Sequence, residues 1–336
     1  MLDDKNVFKI CWFLLEMENG YIVLADPNGL GWEFAQQVHE EIQRKKNNGN
    51  TFQLGKVNIR RFRDGEILPK IEDNVRERRC FFIHDGNKDP AEWFTELCLV
   101  NEALQKSSAD RIIDVFPYMR FPRQDRKTES RVPISAAVVA HVVDLYSNGV
   151  LTLDVHNAAI DGFFKCRFDN LYSFPTAVKY IREHLDIEDR NLTIMSADVG
   201  GAKRTEAFAK HMGIRDMAFG YKSRGKDGEI EVYRIAGDVK GRDVLIVDDI
   251  LESGGTMVKG NNTAREEGAR KVYGYCPHGL FTKGTDYVLP HFDRFFVGDT
   301  LKQQPRPNLE VIPFAPLFAE AIYRMSTGAS LSELFE

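Results

Sequence analysis

The sequence contains no long uninterrupted apolar run. Its most apolar N-terminal stretch, residues 7–15, is broken by Lys9 and followed by Glu16 and Glu18, which predicts neither a signal peptide nor a membrane span. The chain also lacks a basic excess: its formal net charge is −5, whereas nucleic-acid-binding proteins usually carry clustered positive charge. We therefore expect no nucleic-acid partner and no association with a membrane.

Cysteine is scarce as well. The five cysteines form no CxxC pair, and their odd number predicts free thiols in a reducing compartment, which indicates a cytoplasmic protein. With 43% hydrophobic and 28% charged residues, the composition is that of an ordinary globular protein. At 336 residues the chain is long enough for two domains, each with its own core.

Strand-like and helix-like segments alternate from residue 53 onward, a pattern typical of an α/β fold with mainly parallel sheets. The predicted strands include 80–84, 111–116, 150–155 and 244–247, and the predicted helices include 31–45, 90–104, 133–145 and 175–184. Segment 150–156 resembles segment 244–250, since in both a mostly apolar run precedes an acid and a short polar exit. This echo indicates two similar α/β units in tandem, with a boundary near 172–175.

The most informative stretch is 243–257, DVLIVDDILESGGTM. Residues 244–247 predict a strand buried on both faces, and two carboxylates, Asp248 and Asp249, follow where it should end. Residues 253–256 then lead into a predicted helix. Such a loop can direct backbone N–H groups, hydroxyls and a helix N-terminus onto one phosphate, while the carboxylates suit ribose hydroxyls. The strand–loop–helix context favours a sugar-phosphate site over an acidic strand end with an ordinary glycine turn.

Two further segments of the first half could bind an anionic ligand. Residues 123–127, RQDRK, place cations on a loop after a predicted strand, which suits a polyphosphate; the alternative is a solvated charge run. His156 lies at the exit of predicted strand 150–155. Ligands gather at such strand ends in α/β proteins, although a lone histidine can equally be structural.

The second half offers two comparable candidates. Asp198 ends a predicted strand before a glycine pair, where a carboxylate can hold Mg²⁺ or cap a helix. Lys222 and Arg224 precede the turn 226–228 of a predicted hairpin between Tyr221 and Val232. This hairpin tip is either a plain surface loop or a mobile cationic lid that closes over a transferring phosphoryl group.

Together these segments resemble the ribose-phosphate diphosphokinases, also called phosphoribosyl pyrophosphate synthetases. The match is collinear from about residue 53 to the C-terminus. It includes 62–66, 123–136, 154–164, 169–172, 198–204, 222–224, 248–256, 319–322 and 330–335.

The resemblance implies two tandem phosphoribosyltransferase-like α/β domains with mainly parallel sheets. They are expected at residues 1–174 (the ATP side) and 175–336 (the ribose-phosphate side), with the last helix able to pack back on the first domain. The implied reaction is transfer of the intact diphosphoryl group of ATP, with Mg²⁺, to the C1 hydroxyl of ribose 5-phosphate, with AMP as the second product. The implied assembly is a dimer-based homo-oligomer such as a hexamer.

The resemblance also implies a role for each matching residue. The ATP-binding set would be Arg123, Gln124 and Lys127, with Phe62, Asp64 and Glu66 receiving the adenine of a neighbouring subunit's ATP. His156 and Asp198 would serve the Mg²⁺–ATP site, and Lys222 and Arg224, together with His156, would be catalytic. The ribose-phosphate set would be Asp248 and Asp249 for the hydroxyls, and Glu252, Ser253, Gly254, Gly255 and Thr256 for the 5′-phosphate.

Three alternatives remain at the level of sequence. Glu252 stands where the family usually has aspartate, which permits a larger 5′-substituted ribose, such as ADP-ribose, as the acceptor. The chain could instead be a non-catalytic regulatory homologue, although a scaffold has no need of Lys222, Arg224, His156 and Asp198. A nucleobase phosphoribosyltransferase would share segment 248–256, but it would not need segment 123–127 or His156.

Overall fold

The structure is a computed structural model that describes residues 20–45, 50–185, 191–224 and 230–335, without the side chains of 223, 224 and 230–232. The apolar stretch 7–15 and the turn 226–228 lie outside the described residues. Within the described part of the chain, no helix is long and apolar enough to cross a membrane. The chain divides into two compact units, Met1–Leu171 with Ala315–Glu336, and Tyr172–Phe314.

The first unit alternates strands with helices, as its apolar periodicity predicts. In chain order its elements are β1 (Tyr21–Ala25), α1 (Trp32–Gln43), β2 (Phe52–Arg61), β3 (Ile67–Ile71), β4 (Arg79–Ile83), α2 (Pro90–Lys106), β5 (Arg111–Phe116), α3 (Ser135–Tyr146), β6 (Gly149–Leu153) and β7 (Arg167–Leu171).

The second unit follows the same plan, and the chain then returns to the first unit. Its elements are α4 (Phe174–His184), β8 (Leu192–Ser196), α5 (Ala202–His211), β9 (Met217–Arg224), β10 (Ile230–Ala236), β11 (Asp243–Val247), β12 (Ile250–Leu251), α6 (Gly255–Glu266), β13 (Lys271–Cys276), β14 (His278–Gly279), α7 (Thr285–Val288), β15 (Arg294–Gly298) and β16 (Leu309–Ile312). The last helix, α8 (Ala315–Thr327), packs on α1 through an edge-to-face contact of Phe318 with Phe34.

Each unit contains one seven-stranded sheet, and the two sheets have the same topology. The strand orders are β3-β2-β1-β4-β5-β6-β7 and β10-β9-β8-β11-β13-β15-β16. At one edge of each sheet two strands consecutive in the chain form an antiparallel hairpin: β2 with β3 in the first unit and β9 with β10 in the second. The remaining neighbours are parallel. The expectation of α/β units with mainly parallel sheets is confirmed.

This topology corrects the internal echo found in the sequence. By its place in the sheet, β11 corresponds to β4, whereas β6 corresponds to β15. The repeat is real, but the sequence comparison paired β6 with β11, because buried strands of a parallel sheet all show the same short apolar run.

In both sheets the strand order reverses at one place, called here the switch point. It lies between β1 and β4 in the first unit and between β8 and β11 in the second. All residues of β1, β8 and β11 are buried, as expected for central strands covered on both faces. Ligands of open α/β sheets bind in the crevice outside the carboxyl ends of the strands at such a point.

Candidate active site

The switch point of the second unit brings together three carboxylates from two distant segments. β8 and β11 pair in parallel with Ser196 opposite Val247, so both strands end at the same edge of the sheet. Asp198 follows β8, and Asp248 and Asp249 follow β11. The sequence predicted each of these residues at a strand exit, and the fold places the exits side by side.

Asp248 and Asp249 are held as a pair by a basic residue that the sequence analysis assigned no role. The backbone N–H of Asp249 donates to Asp248 Oδ1 (3.0 Å), and Arg204 Nη2 lies 3.0 Å from Asp249 Oδ2 and Nη1 lies 3.7 Å from Asp248 Oδ1. Burial raises the pKa of Asp248 well above its usual value, and the adjacent Asp249 charge adds to the shift. Arg204 lies in the first turn of α5, directly after the glycine pair that follows Asp198. This closeness to Asp198 in the sequence is the feature that could have indicated a role for it.

The glycine loop after these carboxylates leaves the N-terminus of α6 open. Gly254 precedes α6 with φ +83°, a left-handed conformation that favours glycine, and no side-chain hydrogen bond caps the helix at this residue. A Cβ at Gly254 would also overlap Cγ2 of Val288. The Gly255 N–H, the first of the 12-residue helix, makes a long contact of 3.5 Å with Ser253 Oγ, and the N–H groups of this first turn remain suited to an anion.

A second strand pair anchors this loop from behind. β12 pairs in parallel with β14, and the backbone N–H groups of Leu280 and Thr282 donate to the carbonyls of Leu251 and Glu252, both at 2.8 Å. The Glu252 side chain is exposed. The loop backbone is thus fixed, while the residue that departs from the family pattern faces solvent.

Lys222 connects the switch point to the glycine loop. From β9, its Nζ donates to Asp198 Oδ2 (2.6 Å) and to Thr256 Oγ1 (3.5 Å). Burial alone would raise the pKa of Asp198, but the hydrogen bond and charge of Lys222, with the Gly201 N–H, hold it below its usual value. Arg224 ends the same strand, and its side chain lies outside the described residues.

Asp198 also fulfils its alternative role. Its Oδ1 accepts from the Gly201 N–H (3.2 Å) at the start of the short 3₁₀ helix Val199–Gly201. The ion pair with Lys222 uses the other carboxylate oxygen, Oδ2. Among the described residues, no group of three or more His, Cys, Asp or Glu side chains forms a metal site.

In the first unit the cationic loop lies at the exit of β6, where His156 was predicted. Asn157, next to His156, donates from Nδ2 to Asp125 Oδ2 (2.5 Å). Gln124 is fixed by its carbonyl, which accepts from the Ala136 N–H (3.2 Å) at the start of α3. The side chains of His156, Arg123 and Lys127 are exposed, the arrangement expected of groups that meet a ligand.

The predicted adenine-binding residues form the tip of the β2–β3 hairpin. The Phe62 N–H donates to the Glu66 carbonyl (2.9 Å), and Glu66 N–H donates to Asp64 Oδ1 (3.2 Å), which defines the tip. The Phe62 side chain is 54% exposed, and Asp64 and Glu66 are also exposed. An aromatic ring and two carboxylates are thereby presented to solvent on a rigid turn.

Comparisons with known proteins agree with this geometry. Residues 32–145 match the family model described as the N-terminal domain of ribose phosphate pyrophosphokinase, and residues 226–336 match the phosphoribosyl synthetase-associated domain. The ribose-phosphate pyrophosphokinase of Bradyrhizobium diazoefficiens is 36% identical over 341 residues, covering 96% of this chain and 100% of that protein. The Campylobacter jejuni protein of the same name is 36% identical over 309 residues, covering 90% and 96%.

A solved structure extends the likeness to three dimensions. The phosphoribosylpyrophosphate synthetase from Mycobacterium smegmatis has a TM-score of 0.81 and 27% identity, covering 92% of this chain and 100% of that one. The resemblance carried by the motifs is therefore confirmed, and the chain belongs to the ribose-phosphate pyrophosphokinase family.

Proposed function

We propose that the chain transfers the intact diphosphoryl group of MgATP to the C1 hydroxyl of ribose 5-phosphate, giving phosphoribosyl diphosphate and AMP. The observation that carries this proposal is Lys222, whose Nζ reaches both Asp198 and Thr256 and so joins the two halves of the second unit's switch point. The hydroxyl oxygen attacks the β-phosphorus, and its proton passes to solvent. The bond between the β-phosphorus and the oxygen that bridges to the α-phosphate breaks, and AMP leaves with that oxygen and its electron pair.

The ribose-phosphate side is assigned to the segment after β11. Asp248 and Asp249 accept hydrogen bonds from the ribose hydroxyls, and Arg204 holds the two carboxylates in place. The 5′-phosphate is bound by the loop Glu252–Thr256, where the N-terminus of α6 supplies N–H donors and a favourable dipole. Ser253 and Thr256 add their hydroxyls.

The ATP side is assigned to the first unit. Arg123, Gln124 and Lys127 bind the nucleotide, and arginine suits its phosphates because the planar guanidinium makes bidentate contacts. Phe62, Asp64 and Glu66 receive the adenine of a neighbouring subunit's ATP, which their exposure at the hairpin tip supports.

Magnesium enters this proposal as part of the substrate MgATP. The ion neutralises phosphate charge and needs only one or two protein ligands beside phosphate oxygens. Asp198 suits it, because its lowered pKa keeps the carboxylate ionised at neutral pH. His156 is assigned to the same MgATP-binding function from its exposed position after β6.

Lys222 and Arg224 are assigned to the transition state. Phosphoryl transfer depends mainly on positioning and on neutralising the charge that develops on the transferred group, so cations on one strand of a hairpin fit this role. Lys222 is held on Asp198 in the structure, which places its charge at the switch point.

One experiment tests the reaction and the acceptor together. The protein is incubated with MgATP and either ribose 5-phosphate or ADP-ribose, and AMP and the diphosphorylated product are followed by phosphorus NMR. We expect AMP and phosphoribosyl diphosphate in the incubation with ribose 5-phosphate, and no AMP in the incubation with ADP-ribose. AMP with ADP-ribose alone would instead establish the larger acceptor that Glu252 permits, and no AMP with either acceptor would refute the proposal.

The adenine assignment needs at least a dimer, and we infer a dimer-based homo-oligomer, such as a hexamer, that acts in the cytoplasm. We expect Phe62→Ala and Lys222→Ala subunits, each weakly active alone, to regain activity when mixed and reassembled. Mixed oligomers contain sites with Lys222 from one subunit and Phe62 from its neighbour. No gain on mixing, with subunit exchange verified by native mass spectrometry, would contradict the shared site.

A further inference from the structure

Tyr233 of β10 lies directly opposite Lys222 of β9 in the antiparallel hairpin. Directly opposite residues of such a pair project from the same face of the sheet. Tyr233 donates from its hydroxyl to the Ala197 carbonyl (2.8 Å), and Lys222 donates to the Asp198 carboxylate (2.6 Å). Two consecutive residues after β8 are therefore each held by one strand of the hairpin.

Two glycines make the space that the Tyr233 hydroxyl occupies. A Cβ on Gly220 of β9 would overlap the hydroxyl oxygen and lie 2.6 Å from the Ala197 carbonyl oxygen. A Cβ on Gly260, inside α6, would lie 2.8 Å from the hydroxyl oxygen and 3.3 Å from the ring carbon that bears it. The hydroxyl thus lies where β8, β9 and α6 converge. Asp198 follows β8, Lys222 lies in β9, and the glycine loop leads into α6.

The phenol is suited to donating a hydrogen bond at this place. Burial raises the pKa of Tyr233, and the nearby Asp198 and Asp248 charges add to the shift, so the group keeps its proton at any working pH. Its ring packs against the hydrophobic core of the second unit, which limits the movement of the hydroxyl.

We propose that Tyr233 is a positioning residue for diphosphoryl transfer: its hydroxyl fixes the Ala197 backbone and thereby the Asp198 carboxylate that Lys222 and MgATP use. Tyr233 does not touch the reacting atoms. The inference rests on the proposed function, since Asp198 is the group whose position matters.

The test compares Tyr233→Phe with Tyr21→Phe. Tyr21 donates to the Ser326 carbonyl at the same distance, 2.8 Å, within the first unit, so its substitution removes a similar bond, together with one that Arg79 donates to the same hydroxyl (3.1 Å), away from the second unit's switch point. For Tyr233→Phe we expect kcat to fall about tenfold and the Mg²⁺ concentration for half-maximal rate to rise several-fold. The KM for ribose 5-phosphate should remain unchanged, and Tyr21→Phe should change none of the three.

A second measurement is independent of activity. Amide hydrogen exchange of a peptide spanning 197–202 should accelerate in Tyr233→Phe and not in Tyr21→Phe, because the Ala197 carbonyl loses its anchor. Unchanged exchange and kinetics in Tyr233→Phe, with an active wild-type protein, would overturn the positioning role. An inactive wild-type protein would instead refute the proposed function, and the exchange measurement would still decide whether Tyr233 holds this segment.

Gly260→Ala gives a sharper version of the test. With Tyr233 present, the new methyl displaces the hydroxyl, and we expect kcat to fall about tenfold, as in Tyr233→Phe. In the Tyr233→Phe background the methyl meets no hydroxyl, and its remaining contacts at 3.3 Å, with the ring carbon and with the flexible end of Met195, need shifts of only a few tenths of an ångström, so adding Gly260→Ala should cause little further loss. Multiplicative losses in the double variant would contradict the proposal.

Discussion

The two switch points occupy the same place in two sheets of identical topology, but their charged side chains differ in how far they are exposed. In the second unit, three carboxylates face one another, and Asp198 remains 31% exposed. In the first unit, Lys88 Nζ bridges Asp26 (2.7 Å), which follows β1, and Glu96 (2.6 Å) of α2. Those three side chains are 11%, 7% and 3% exposed.

Charge explains much of the difference. Burial raises the pKa of Glu96, and Lys88 only partly opposes this. Burial also acts to lower the pKa of Lys88, but Glu96 and Asp26 outweigh it and hold the pKa above its usual value. The charged groups of the first switch point thus form a nearly buried set of ion pairs, whereas in the second Asp198 and its partner Lys222 remain partly exposed.

The helices that follow β4 and β11 differ in how their N-termini are capped. Asp89 caps α2 by accepting from the backbone N–H groups of Ala91 (2.9 Å) and Glu92 (3.5 Å), and Pro90 opens the helix. The corresponding helix α6 begins after Gly254, and among the described residues its first turn has only the long contact of the Gly255 N–H with Ser253 Oγ (3.5 Å). Topology thus supplies the position of a possible site, while helix capping and the burial of the charged groups distinguish the two positions.

The largest effect is expected from Lys222. Lys222→Ala should lower kcat about 10³-fold, because it removes the charge that we propose stabilises the transition state, with little change in the KM for ATP. Initial rates of AMP release measure it. Lys210→Ala removes an exposed lysine of the same unit and serves as the control, with unchanged kcat. A normal kcat in Lys222→Ala would refute the transition-state role of Lys222, since its loss would then have no more effect than that of Lys210.

Lys88 should behave in the opposite manner. Lys88→Met leaves Asp26 and Glu96 buried without their cation and should lower the free energy of unfolding by about 3 kcal/mol. Urea denaturation measures this loss, and adding Glu96→Gln should recover part of it. The kcat of the folded protein should stay within about twofold of wild type, whereas a large loss of kcat would show that the first switch point also serves the reaction.

The glycine loop allows strain to be separated from binding. Gly254→Ala should cost about 2 kcal/mol of stability, from its positive φ and the overlap with Val288, and should raise the KM for ribose 5-phosphate. Gly241 has φ +72°, and among the described residues no atom beyond its chain neighbours lies within 4 Å of the position that a Cβ would take there, so Gly241→Ala should cost less and leave this KM unchanged. Equal KM values in the two variants would refute the role of the loop.

Neutralising one carboxylate should raise the free energy of unfolding at the second switch point and lower it at the first. The folded state raises the pKa of Asp248, so this group destabilises the fold as pH rises from about 3.8 through the raised value. Asp248→Asn should thus gain about 1 kcal/mol near pH 8 and nothing near pH 4, at the expense of sugar binding.

Asp26→Asn weakens a buried pair with Lys88 and should lose about 1.5 kcal/mol at pH 8. Thermal unfolding of both variants across this pH range measures the contrast. A loss of stability in Asp248→Asn at pH 8 would contradict the view that the second switch point is electrostatically strained.

Much of the local structure was predictable because it depends on neighbours in the chain. Strand 111–116 has the predicted bounds, and helix 175–184 begins one residue early, at Phe174. The short strand Tyr21–Ala25 went unrecognised, since its five apolar residues precede the region where alternation becomes regular. The stretch 243–257 folds as strand, loop and helix, as its pattern indicates.

The sequence by itself determined the family and the chemistry available to it, because carboxylates after a buried strand, a glycine loop and a basic hairpin are all local patterns. Tertiary structure decided which of those groups meet. Lys222 and Asp198 are 24 positions apart, and Tyr233 and Ala197 are 36 apart. Only the strand order, in which β8 lies between β9 and β11, brings them together, and periodicity does not encode that order.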